Sequence, residues 1–232
     1  MYWNQTEPPE VIDIPDEIVD LVFEIDCRQL PVDHAYDLSA ALLQVCPWMA
    51  DEPRLAIHTI HVAGSQNGWE RPAHSTWNYL QVSRRTKLRV RAPQTRVRAL
   101  LDELPGTHIE VGGCPLILGT GRVKALSKET TLFARYVVAA TGPNQAPGEH
   151  DFLEATALAL AKIDIRIRKA MCGQMVALTT PQGHLLARSL LVADLGMAES
   201  IRLQQHGLGP QRLMGCGVFI PHKGIHAVNQ SV

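Results

Sequence analysis

The period of the apolar positions changes several times along the chain, and each change marks an element. LVFEIDCRQL reads as a strand, rich in apolar and β-branched residues. Over residues 38–48 Ala, Leu and Val fall at helical spacing, with Asp33 or Asp37 as the cap and Pro47 closing the helix. LAIHTIHVA is again strand-like, and SQNGWERP is a loop. YLQVSRRTKLRVRA alternates strictly, residues 96–104 form a short helix ending at Pro105-Gly106, and HIEVGGCPLIL completes a β-α-β-β-α-β order. Ahead of all this, residues 1–17 combine three prolines with many acids and predict a loose arm.

The second half repeats the theme. LFARYVVAA predicts a strand and GPNQAPGEH a loop, after which Asp151 caps a helix over 152–163. Two apolar runs flanking Pro181-Gln182-Gly183 predict a hairpin in MVALTTPQGHLLARSLLVADL. Residues 197–206 make a short helix, and VFIPHKGI is a last strand. Two passes through one six-element order predict an α+β fold of two tandem ferredoxin-like domains, the topology of RNA-recognition motifs. The expected domains are 18–122 and 130–225.

Composition narrows the function classes. With 46% hydrophobic and 19% charged residues in 232, the chain is that of a globular protein. It has no apolar run near the roughly 20 residues a spanning helix needs and no leader-like start, so no membrane association and a cytoplasmic address are expected. Its five cysteines are scattered, with no C-x-x-C pair; they predict buried thiols, and neither a metal site nor a cofactor motif is apparent. The net charge of -1 hides an uneven distribution. Acids crowd the first 26 positions, whereas residues 81–101 hold seven Arg and Lys and no acid.

Within that basic stretch, alternation puts Ser83, Arg85, Lys87, Arg89 and Arg91 on one strand face, and Arg84 with Val82, Thr86, Leu88 and Val90 on the other. Cations in a row repel one another unless an anion lies over them, and RNA phosphates suit such a track. A solvated edge strand protected by charge is the alternative. The run Gly207-Leu208-Gly209-Pro210-Gln211-Arg212-Leu213-Met214-Gly215-Cys216-Gly217 leads into a strand, which excludes nucleotide-binding loops; its glycines either let a phosphodiester approach the backbone or serve a tight turn. Trp69 is a candidate for stacking on a base.

GLGPQRLMGCGVFIPHKGI closely resembles the glycine-rich motif of the CRISPR-associated repeat-RNA endoribonucleases, the sixth Cas family. IHTIHVAGSQNGWERP with YLQVSRRTKLRVRAP is similar to its myxobacterial-subtype branch. The resemblance implies CRISPR repeat RNA as substrate, one metal-independent cut by 2′-OH attack leaving a 2′,3′-cyclic phosphate or 3′-phosphate, and other Cas proteins of a type I effector complex as partners. That chemistry needs a base, an acid and cations. By placement in the motif, His58 is the favoured base, His61 the runner-up and His34 the third candidate; Arg84, Arg85 and Lys87 would stabilise charge, with Ser83 or Tyr36 as hydroxyl donor. Gly207, Gly209, Arg212, Gly215 and Gly217 would bind RNA. The rival readings are a non-catalytic repeat-RNA-binding subunit, a structural assembly protein and a two-histidine phosphoesterase, for which the chain offers only His74-Ser75-Thr76.

Overall fold

A computed structural model describes residues 17–62, 79–140 and 147–222. The first half builds a five-stranded antiparallel sheet in the order β3-β5-β1-β7-β6 from β1 (Ile18–Asp26), β3 (Ala56–Ile57), β5 (Lys87–Pro93), β6 (His108–Val111) and β7 (Cys114–Lys124). Helices α1 (Ala35–Val45) and α2 (Val97–Glu103) supply the rest of that core. Their apolar faces meet Leu21, Phe23, Leu88 and Val90 of the sheet, with Leu38, Leu42 and Leu100 wholly buried among them. Each such side chain contributes about 1.5–3 kcal/mol by leaving water.

In the second half β8 (Leu132–Ala140), β9 (Lys169–Thr180), β10 (Gly183–Ala193) and β11 (Phe219–Pro221) pair in the order β11-β8-β10-β9. Helices α3 (Glu149–Ala161) and α4 (Met197–His206) pack on them. Leaving out the added edge strand β6, both sheets place the fourth, first, third and second strands of their unit side by side, the ferredoxin-like order. The chain is thus two tandem ferredoxin-like folds, as the periodicity indicated. No helix among the described residues is long and apolar enough to cross a membrane.

Four strand readings need correction. LVFEIDCRQL breaks after Asp26 into β1 and a short β2 (Gln29–Pro31), which pairs with β4 (Tyr79–Gln81) in a separate two-stranded sheet. YLQVSRRTKLRVRA is not one strand: between β4 and β5 the backbone N–H of Thr86 donates to the Ser83 carbonyl, closing a turn. HIEVGGCPLIL is a hairpin, β6 to β7, folded at Gly112-Gly113. LAIHTIHVA pairs only through Ala56–Ile57 and one further bond from His58 N–H to Arg89 O; Ile60 N–H then turns to the His34 ring. The caps also differ: His34 precedes α1 while Asp33 accepts a bond from Thr179 N–H of β9, and Gly148 precedes α3. Of the cysteines, Cys46, Cys114 and Cys216 are buried, whereas Cys27 and Cys172 are only half-buried.

The halves are stitched together tightly. Gln204 of α4 accepts from Ser127 N–H and donates to Ser127 O, and Ser200 Oγ donates to Glu129 O, so the connecting segment is tied to the second unit. Ile18, Leu126 and Ile201 bury a small apolar cluster beside it.

Candidate active site

Residues directly opposite across antiparallel strands share a face. The register sets Lys87 opposite Glu24, Arg89 opposite Val22 and Arg91 opposite Asp20, and on the other flank of β1 it sets Arg122 opposite Val22 and Lys124 opposite Asp20. Leu21 and Phe23 point to the helices, so this second face, directed away from them, carries five cations and two acids. The acids come from β1, more than sixty residues before the basic strand, which a local reading of charge could not detect.

Those acids divide the basic track. Lys87 Nζ lies 3.2 Å from Glu24 Oε1. Arg91 is completely buried: Nε donates to Asp20 Oδ1 at 2.7 Å, Nη2 to Oδ2 at 3.1 Å, and Nη1 to the carbonyls of Gln204 and Phe219 at 2.8 and 2.9 Å. Arg91 therefore joins the two units and, with four of its five N–H groups engaged and its side chain sealed from solvent, is out of reach of RNA, contrary to its expected place in the track. Arg85 and Arg89 have no acidic partner among the described residues.

A groove of 510 Å³ opens at this point between the units. It gathers His58, His61, Ser83, Arg85, Lys87 and Arg89, adds Lys124, and is walled by Ile220 and Pro221 of β11. Arg84 and Tyr36 do not line it. Ser83 keeps its hydroxyl 3.3 Å from Thr86 Oγ1. Trp69 and His74-Ser75-Thr76 lie outside the described residues.

The three candidate histidines occupy different environments. His34 is buried beside the groove's backbone support: Nδ1–H donates to Pro31 O at 2.8 Å and Nε2 accepts from Ile60 N–H at 3.0 Å. Both nitrogens are occupied in a neutral ring, and burial holds its pKa below the usual histidine value. His58 is 5% exposed, with Nε2 3.6 Å from Asp20 Oδ1 and no hydrogen-bond partner on that atom. Burial lowers its pKa more than Asp20 raises it, so the ring is neutral near pH 7. Burial alone would raise the Asp20 carboxyl, but Arg91 and His58 overcome it and hold the group well below the carboxylate range. His61 is half-buried, with Nδ1 2.8 Å from Arg135 Nη1 of β8; burial first, then Arg135, push its pKa down to about 3.

The glycine motif faces inward. Gly207, Gly215 and Gly217 are buried and their N–H groups already donate, to Leu203, Arg212 and Tyr136 carbonyls respectively. At Gly217, φ is +65° and a side chain would run into the Leu208 carbonyl; at Gly215, φ is +78° and a side chain would press on Thr59 and the Ile57 carbonyl, the segment that carries His58. The motif thus sets the second unit against the histidine segment at close range. Only Gly209 stands on an open tip. Arg212 donates to Gln205 O and Arg54 O, and burial, with Arg91 nearby, lowers its pKa to about 10.

Sequence reasoning missed Asp20, Lys124 and Arg135. Asp20 carried a signal, an acid between the apolar pairs Ile18-Val19 and Leu21-Val22 of β1; Lys124 and Arg135 are placed at the site only by the register and the docking of β8.

Residues 19–224 match the family described as Cas6 Crispr. A CRISPR-associated endonuclease Cas6 from Myxococcus xanthus (strain DK1622) is 29% identical over 203 residues, covering 88% of this chain and 81% of that protein. A solved CRISPR associated protein Cas6 superposes with a TM-score of 0.61 at 10% identity, over 89% of this chain and 100% of its own. A structure described as a Cas6-related gene from Pyrococcus furiosus gives 0.60 at 10%, over 87% and 97%. An RAMP protein binding different RNA substrates gives 0.59 at 12%, over 88% and 100%.

Proposed function

Because the chain belongs to the Cas6 family of CRISPR proteins, we propose that it is an endoribonuclease that cuts CRISPR precursor RNA within its repeats, without metal, by attack of a ribose 2′-OH on the adjacent phosphate. The observation that carries this reading is the groove in which two histidines meet Arg85 and Arg89, cations without acidic partners among the described residues, at the seam between the units. Such a groove supplies what the reaction requires: cations for a polyanion and a neutral imidazole for a proton.

The roles follow from the neighbours. His58 Nε2 is buried toward Asp20, which leaves Nδ1 as the nitrogen to take the 2′-OH proton. Asp20, clamped by Arg91, steadies the imidazolium that forms, as an orienting carboxylate does for a catalytic histidine. The 3.6 Å separation is long for a hydrogen bond and is expected to shorten once substrate is bound. The 2′-oxygen forms its bond to phosphorus as the bond to the 5′-oxygen breaks, and the 5′-oxygen takes a proton from water in the groove, giving a 2′,3′-cyclic phosphate and a 5′-hydroxyl while His58 returns its proton to solvent. Arg85, Lys87, Arg89 and Lys124 hold the strand, and the glycine motif fixes the wall opposite.

We take the units as 18–122 and 130–225, and expect the protein to act in the cytoplasm beside other Cas proteins of a type I effector complex. The test is single-turnover cleavage of labelled repeat RNA in EDTA, with binding measured in parallel and the product ends identified. One cut with a cyclic phosphate terminus, lost in His58→Ala with binding retained, supports the reading. Tight binding by wild type without any cut makes the protein a repeat-RNA-binding subunit instead.

A further inference from the structure

His61 and Arg135 form a contact for which the base-and-cation scheme has no use. They come from different units, His61 from the segment after β3 and Arg135 from β8, and meet at 2.8 Å at the edge of the groove that His61 lines. A guanidinium has only donors. The imidazole nitrogen facing it, Nδ1, must therefore be the acceptor, and in a neutral ring the proton then sits on Nε2. With Nδ1 occupied by an N–H and no lone pair on Nε2, this ring has no site for a further proton while the contact holds.

Resting on the endoribonuclease reading, we propose that Arg135 is a positioning residue that fixes His61 as the Nε2–H tautomer, and that His61 serves as a neutral hydrogen-bond donor to the phosphoryl oxygens rather than as the base or the acid. The groups around the ring agree. Arg135 of β8 and Arg89 of β5 oppose a positive charge there, and His58 on the same segment and His34 at the head of α1 are neutral rings. No acid is among them. The two histidines of one short segment thus divide the work: the one beside a carboxylate can accept a proton, and the one beside a guanidinium can only give a hydrogen bond. A donor aimed at developing oxyanion charge is worth roughly 10²–10³ in rate.

The closing experiment compares wild type, His61→Ala and His61→Gln in single-turnover cleavage of repeat RNA, with RNA binding measured for each. Glutamine keeps an N–H near the Nε2 position but cannot titrate. The expected result is that His61→Ala loses about a hundredfold or more in rate and His61→Gln recovers most of that loss, while both bind RNA. Equal losses in the two variants would overturn the proposal, because they would mean that the ring exchanges a proton during the reaction; no loss in either would overturn it as well. The positioning role has its own readout in ¹⁵N-resolved imidazole spectra, with the His61 signal assigned by its disappearance in His61→Gln. Wild type should show a protonated Nε2 and bare Nδ1, and Arg135→Met should lose that fixed pattern and titrate at a higher pH than wild type, still below the ordinary histidine pKa because the burial remains. The opposite tautomer in wild type, or an unchanged pattern in Arg135→Met, would refute it. A wild type that binds and never cuts removes the endoribonuclease reading and His61's part in it, an outcome separate from the tautomer result.

Discussion

The two ends of the segment His58-Thr59-Ile60-His61 lie three residues apart in neighbourhoods of opposite sign. At one end Asp20 stands 3.6 Å from His58, inside the first unit and backed by a buried arginine. At the other, Arg135 of the second unit bonds to His61. Both rings are neutral near pH 7, but for unlike purposes: a carboxylate favours the ring's protonated form, and a guanidinium opposes it. One residue type at near-identical depth in sequence thus acquires two chemistries from which unit covers it. The seam between the ferredoxin-like folds, more than either fold by itself, makes the site.

The largest effect that would break this comparison is at His58. His58→Ala is expected to lower single-turnover cleavage by about 10³-fold, within the usual worth of a general base, with RNA affinity changed little. A loss confined to affinity would show that His58 is a packing residue. Next comes Arg91→Met, which leaves Asp20 buried without its guanidinium and removes the bonds to Gln204 and Phe219 carbonyls. Denaturant unfolding should show a loss of about 3–5 kcal/mol, the cost of orphaning one member of a buried pair. A change below about 1 kcal/mol would mean that the units are held by other contacts.

A smaller effect separates the track from the staple. Arg89→Ala should weaken RNA binding and reduce the slope of log affinity against log salt by about one, as expected for the loss of one phosphate contact. An unchanged slope would place the RNA elsewhere. The smallest effect is on pH stability. Burial lowers the pKa of His34, His58 and His61 in the folded state. The unfolded chain therefore takes up protons below about pH 6.5 that the native chain refuses, and stability is full above that pH and falls as pH drops below it. Thermal unfolding should move down by several degrees between pH 7 and 5.5, since about 1 kcal/mol shifts Tm by ~2–4 °C at this size. Constant Tm over that range would show that the rings are not sealed from protons.

Much of the fold was legible because period and burial agree. LFARYVVAA is β8 to the residue, and 197–206 is α4, since each has one clear apolar face. The breaks were less legible. Charge alternation runs through the Ser83–Thr86 turn without a Gly or Pro to mark it, so two strands read as one. The same spacing that put Arg91 in line with Lys87 and Arg89 gave no hint that Asp20 would bury it, because the pairing partner lies far back in the chain. The glycine motif was recognisable as a motif, but its inward role depends on Thr59 and Ile57 standing against it. Arg135 is the one charged residue of β8, but nothing in the sequence tied it to His61 across the seam.

Chemical rescue tests the central claim most directly. Imidazole added to His58→Ala should enter from the groove, fill the place of the missing ring and restore cleavage in proportion to its neutral form, whereas any gain in His61→Ala, which lacks only an N–H, should not follow the neutral fraction. Rescue of His61→Ala, with His58→Ala left inactive, would contradict the account and exchange the roles of the two histidines.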